Sequence, residues 1–196
     1  MLKTVKWQKG LVLSIKVRDG LLVLSQMRDN HLLEVFDIFN ENDEWSAVNL
    51  SETSVLFTIF VSLKNIKGIF SSVVSELKVS PNQRPVERRM LSAIFGAPGN
   101  TGARLIELSD SYSNIGAEVI KESLSQSQDL KFIHRYELCG MVGDPEKIIA
   151  RIQRYKDTGI NWDPAKEYLF PNIQLPLVDV GMRLWHRVIL IMLVVY

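Results

Sequence analysis

Seven carboxylates, Asp29, Glu34, Asp37, Glu41, Asp43, Glu44 and Glu52, fall within residues 29–63, a stretch with no lysine or arginine. Residues 64–104 reverse the sign, with seven basic side chains against Glu76 and Glu87. The formal net charge is only +1, so the asymmetry is local. One-signed carboxylates can hold a divalent cation, or they can steer a basic macromolecule by their field. The cation reading fails on pattern. A calcium loop needs oxygen ligands at alternate positions, a central glycine and a closing glutamate, and Asn40-Glu41-Asn42-Asp43-Glu44 has no glycine. The field reading makes Glu34, Asp37, Glu41, Asp43, Glu44 and Trp45 the candidate partner-binding residues, with Phe36, Phe39 and Trp45 as apolar anchors. Period-two alternation sets Glu34 opposite Leu33 and Val35, so its carboxylate is expected to point outward.

A second candidate is the glycine-rich segment at residues 94–104, with Gly96, Gly99 and Gly102 in a Gly-x-x-Gly-x-x-Gly pattern. The segment resembles the fingerprint loop of extended and atypical short-chain dehydrogenases. The resemblance implies a strand, a loop whose bare backbone approaches a pyrophosphate, and a helix N-terminus that favours the anion. A nucleotide-binding enzyme is therefore the alternative function. Against it, only 94 residues follow the loop's Gly102, too few for a complete six-stranded dinucleotide sheet. The plainer expectation is a glycine-rich surface turn, with no cofactor.

Other reactive side chains do not assemble. One cysteine, Cys139, and three scattered histidines, His31, His134 and His186, cannot supply close-spaced zinc ligand pairs. No metal site and no catalytic residue is expected. His134 and Arg135 are adjacent, and on a strand neighbours point to opposite faces. Arg84, Arg88 and Arg89 cluster, but no aromatic residues interleave to stack bases, so nucleic acid is not the expected partner.

The elements that position these residues are legible in outline. Of the 196 residues, 46 % are apolar and 23 % charged, the balance of a globular protein with one core. Strands are expected at residues 10–17, 21–27, 31–39, 45–50 and 55–63, separated by turns at Asp19-Gly20 and at residues 28–30, with a further strand near 73–79. Residues 80–89, broken by Pro81 and Pro85, connect a β-rich part (1–80) to an αβ part (90–196) of a single domain. In the second part, residues 90–95, 104–108 and 130–138 read as strands and 115–124 as a helix. The clearest helix starts at Asp144-Pro145 and closes at Gly159, with Ile148, Ile149, Ile152 and Tyr155 on one face. A shorter helix, 165–170, follows Asp163-Pro164. Residues 1–7 lack the apolar centre of a secretory signal. The apolar run 188–196 is nine residues, against the roughly 20 needed for a membrane-spanning helix. It is expected to pack on the core. A cytoplasmic chain is expected. The fold class is α+β, a mostly antiparallel sheet or small barrel packed against an αβ portion.

The opening resembles bacterial immunity proteins that neutralise polymorphic or contact-dependent toxins. The residues that carry the likeness are Lys9-Gly10-Leu11-Val12-Leu13-Ser14-Ile15, the turn Asp19-Gly20, the return strand ending at Gln26-Met27, and the third strand through Asp37-Ile38. The resemblance implies a small curved sheet and a non-enzymatic protein. Its partner would be a cognate toxin, for instance a basic nuclease, met by the acidic stretch.

Overall fold

The computed structural model describes residues 2, 4–96 and 101–176. Strands β1 (Val12–Arg18) and β2 (Leu21–Met27) form a hairpin, with Gly20 at φ 67° in its turn. Glycine takes that left-handed conformation without strain. Strand β3 (Leu32–Asn40) returns beside β2, and β5 (Val55–Val61) beside β3, both antiparallel. Between them, the two-residue β4 (Val48–Asn49) turns aside to pair with β7 (Val79–Ser80). After the short helix α1 (Leu63–Ile66), strand β6 (Phe70–Val73) joins the free edge of β1. The expected strand at 73–79 is not formed: only its end residues, Val73 of β6 and Val79 of β7, are in strands, and residues 74–78 turn between them.

Alternation sorts the sheet into two cores. Leu13, Ile15, Val23, Leu33 and Val35 face one side, while Val12, Leu22, Leu24 and Phe36 face the other. Both sides are covered, which is why these strands read as nearly continuous apolar runs rather than alternating ones. Ile148 and Ile152 of helix α3 (Pro145–Thr158) cover the first side. Trp45, Leu50, Val74 and Val79 cover the second. Helix α3 has the predicted start and stop. The Asp144 carboxylate accepts from the Glu146 N–H at 3.0 Å, Pro145 is the first residue, and Gly159 closes it at φ 80°.

The second sheet is a meander of β8 (Arg89–Phe95), β9 (Thr101–Glu107) and β10 (Glu118–Lys121). Its inner residues Leu91, Ala103 and Leu105 pack on Ile133 of α2 (Gln126–Arg135) and on Trp162 and Leu169, the last from α4 (Ala165–Leu169). Two expectations fail here. The predicted helix at 115–124 contains strand β10, and the predicted strand at 130–138 lies largely within α2. Asp129, Ile133 and Tyr136 are the buried side chains of that segment, a helical spacing disguised by a buried carboxylate.

The chain then returns to the first sheet. Strand β11 (Met141–Val142) lies parallel to β5, giving the order β11-β5-β3-β2-β1-β6, and α3 follows. The fold is α+β: a curled, mostly antiparallel sheet with a smaller αβ layer. Among the described residues no helix is long and apolar enough to cross a membrane. The apolar run 188–196 lies outside the described residues.

Candidate functional site

The acidic run does not form one surface. Strand β3 holds its two ends apart by nine residues, roughly 30 Å at the usual rise. At the first end Asp29 pairs with Lys9 at 2.9 Å. Glu34, expected outside, is 3 % exposed. Its Oε2 accepts from Arg28 Nη1 at 2.9 Å and Asn82 Nδ2 at 3.0 Å. Arg28 also donates to the carbonyls of Asn82 at 2.8 Å and Arg84 at 2.6 Å, and Gln26 exchanges two bonds with the Asn82 backbone. The proline-rich connector is therefore strapped across the sheet, and Glu34 is one of its fastenings. Burial pushes the Glu34 carboxyl up, against the pull of Arg28 and Asn82. The alternation rule failed because the outer face of the sheet is itself covered.

The other end of β3 carries Asp37, Glu41, Asp43 and Glu44. Asp37 accepts a 2.5 Å bond from the Tyr155 hydroxyl of α3. The Phe39 ring stacks on Tyr155 with centroids 6.3 Å apart, and Lys156 Nζ lies 4.6 Å from the Phe39 centroid. Asp43 turns inward. It accepts from Trp45 Nε1 and from Ser71 Oγ, each at 2.9 Å. Burial opposes ionisation of Asp43, but hydroxyls of Ser14, Ser72 and Ser71 and the Trp45 indole outweigh it and hold the carboxyl below its ordinary range. Trp45 is 4 % exposed and packs on Leu22, Leu24 and Phe36. Asn40 Nδ2 closes the loop on the Glu44 carbonyl at 2.7 Å. Glu41 and Glu44 are exposed and have no salt bridge among the described residues.

Of the predicted set, the structure keeps Glu41, Asp43 and Glu44 together on one loop, turns Asp37 to α3 on the other side of the sheet, and removes Glu34 from the surface. Trp45 and Phe36 are core side chains, so of the three expected anchors only Phe39 reaches the surface. Basic neighbours from other elements were not foreseen. Lys156 is one, and Arg18 is another, its guanidinium bound to both Asp157 oxygens at 3.3 and 3.0 Å.

The glycine motif sits in a β-hairpin. Strand β8 pairs residue by residue with β9, Ile94 opposite Gly102 and Phe95 opposite Thr101, and Gly96 follows the end of β8. Gly99 lies outside the described residues. A strand follows where the fingerprint needs a helix N-terminus, so the geometry that favours pyrophosphate is missing. His134 and Arg135 lie at the end of α2 rather than on a strand, and they diverge: His134 Nε2 lies 2.7 Å from the Gln174 carbonyl, while Arg135 pairs with Glu87 at 3.5 Å. Burial pushes the Cys139 thiol up, away from a reactive thiolate. Among the described residues no group of three or more His, Cys, Asp or Glu could hold a metal ion.

One buried constellation escaped sequence reasoning. Arg151 of α3 grips Glu137 through two bonds of 2.7 and 2.6 Å, bonds Asn161 at 2.9 Å, and lies 4.2 Å from the Phe57 centroid. Asn161 in turn donates to the Leu56 carbonyl of β5. Of the residues this hub joins, Leu56, Phe57 and Glu137 also line a cleft of about 250 Å³, together with Arg89 and Arg135. The hub's ionic and polar groups satisfy one another, so it reads as a fastening between the layers. Lys166 is buried beside it, over the Trp162 ring, and donates to the Ile133 carbonyl at 2.8 Å.

The class the structure defines is an α+β fold built on a curled, mostly antiparallel sheet. The chain belongs to the family described as Domain of unknown function (DUF8309), which matches residues 2–175. No curated protein and no solved structure gives a significant match.

Proposed function

We propose that this protein is a cytoplasmic, non-enzymatic immunity protein that binds and neutralises a basic bacterial toxin. The observation that carries the reading is the loop at residues 41–44. Two exposed carboxylates, Glu41 and Glu44, sit on a backbone fastened by Asp43, Trp45 and Asn40. A loop already held in one shape loses little freedom on binding. Carboxylates without internal counter-ions steer a cationic partner and raise its rate of encounter. Trp45 supports this loop from behind, while Glu34 fastens the connector at the far end of β3, so neither is a partner-contacting residue in this reading.

The test is association kinetics with the toxin encoded in the adjoining reading frame, purified in an inactivated form. Replacing Glu41 and Glu44 together by lysine is expected to slow association about tenfold or more at low salt, with the effect shrinking as salt rises. The melting temperature is expected to stay put. An on-rate that ignores both the substitutions and the salt would remove the proposal.

A further inference from the structure

Strand β10 is the outer edge of the second sheet, and no described strand lies beyond it. Its apolar side chains are unusually wet: Val119 is 38 % exposed, Ile120 44 %, and Ile115, just before the strand, 84 %. An exposed strand edge bearing apolar residues is a template for another strand.

The charges on the strand say which one. Glu118 lies opposite Glu107 in the ladder and Lys121 opposite Leu105, with Ile120 as the extra, bulged residue. Residues 105 and 107 share one face of β9. The bulge therefore brings Glu118 and Lys121 to the same face, which an unbroken strand would not do for residues three apart. Glu118 lies opposite Glu107, whose carboxylate is already met by Arg88 and Arg89, and no cation pairs with Glu118 among the described residues. Lys121 binds Asp129 at 2.7 and 2.9 Å through an ammonium group with three donors.

We propose that two copies of this chain associate through antiparallel pairing of their β10 edges about a two-fold axis between Val119 and Ile120. That register sets Glu118 of each copy against Lys121 of the other and Val119 against Ile120. Moving the axis to Ile120 sets Glu118 against Glu122, and like charges facing across a ladder repel. The charges thus select both the partner and the register. The paired edge is short of the ~800 Å² per chain of a standard interface, so the dimer forms at micromolar concentration or above. Its surface is separate from the acidic loop, so either proposal can fail alone.

Sedimentation of the full chain from about 5 to about 200 µM tests this range of affinity. A reversible dimer is expected. Ile120→Lys and Glu118→Lys should each weaken it about tenfold or more, since one buries a charge and the other opposes Lys121. Both positions are exposed, so melting should be unchanged. Register is read separately in a Cys139→Ser background, by mixing Val119→Cys with Ile120→Cys chains. The mixture should form a disulfide faster than either variant alone, because only that pair lies directly opposite. A chain that stays monomeric at the highest concentration, or a dimer indifferent to both lysine substitutions, overturns the proposal. Equal cross-linking of the mixture and the single variants overturns the register.

Discussion

The two ends of β3 begin from the same kind of residue and finish in opposite states. At the first end Glu34 is enclosed by Arg28, Asn82 and the connector they hold. At the other end Glu41 and Glu44 face solvent on a loop whose inward carboxylate, Asp43, takes hydroxyl and indole bonds. The difference teaches that a carboxylate's task is set by what the rest of the chain brings to it. Where a guanidinium and an amide arrive, the charge fastens two segments. Where only hydroxyls arrive, one carboxylate anchors the loop and its neighbours stay available.

The sharpest way to break this contrast is at Glu34. Glu34→Ala leaves the Arg28 guanidinium buried without its counter-ion, and removing one partner of a buried pair costs about 3–5 kcal/mol. Urea unfolding measures the loss, and a cost below about 1 kcal/mol would put Glu34 among the dispensable surface charges. Trp45→Ala should cost a similar ~3–5 kcal/mol through the cavity left beneath the sheet. It should also release Asp43, so that the loop becomes protease-sensitive.

Acid separates the two kinds of carboxylate by sign. Lys121 bonds hold the Asp129 carboxyl below its ordinary range, helped by the Ser125 N–H. Its contribution is present above the unfolded value of about 3.9 and is lost as pH falls through the lower folded value. Glu34 runs the other way: burial raises its folded value, so protonation there favours the folded state. Asp129→Asn should therefore flatten the loss of stability below about pH 4, as followed by thermal melts. An unchanged acid slope would exclude the Lys121–Asp129 pair as its source.

Smaller effects calibrate the rest. Asp144→Ala removes the α3 cap and should cost about 1 kcal/mol by denaturant titration. Glu41→Lys and Glu44→Lys should each move stability by less than about 0.5 kcal/mol. A larger change at either position would mean that the loop's charges are structural after all.

Much of the first sheet was legible because its signals are local. The turns at Asp19-Gly20 and at residues 28–30 and the apolar runs that flank them predict β1, β2 and β3 within a residue or two. The second half misled where a polar residue was buried. Asp129 sits on the inner face of α2 because Lys121 and the Ser125 N–H meet it there. Because Asp129 is polar, the helical spacing it shares with Ile133 and Tyr136 does not show as a hydrophobic period. The glycine segment left two readings open: the same glycines suit a surface turn and a phosphate loop, and the antiparallel pairing of β8 with β9 favours the turn.

The amino-acid sequence alone determined the features whose causes lie within a few residues: the α3 start at Asp144-Pro145, its stop at Gly159, the tight turn at Gly20 and the local excess of carboxylates. Tertiary structure alone decided which of those carboxylates remain on the surface. Asn82 reaches Glu34 across 48 positions of chain, and Tyr155 reaches Asp37 across 118. Charge and burial depend on distance in space, and no pattern of neighbours along the chain encodes that distance.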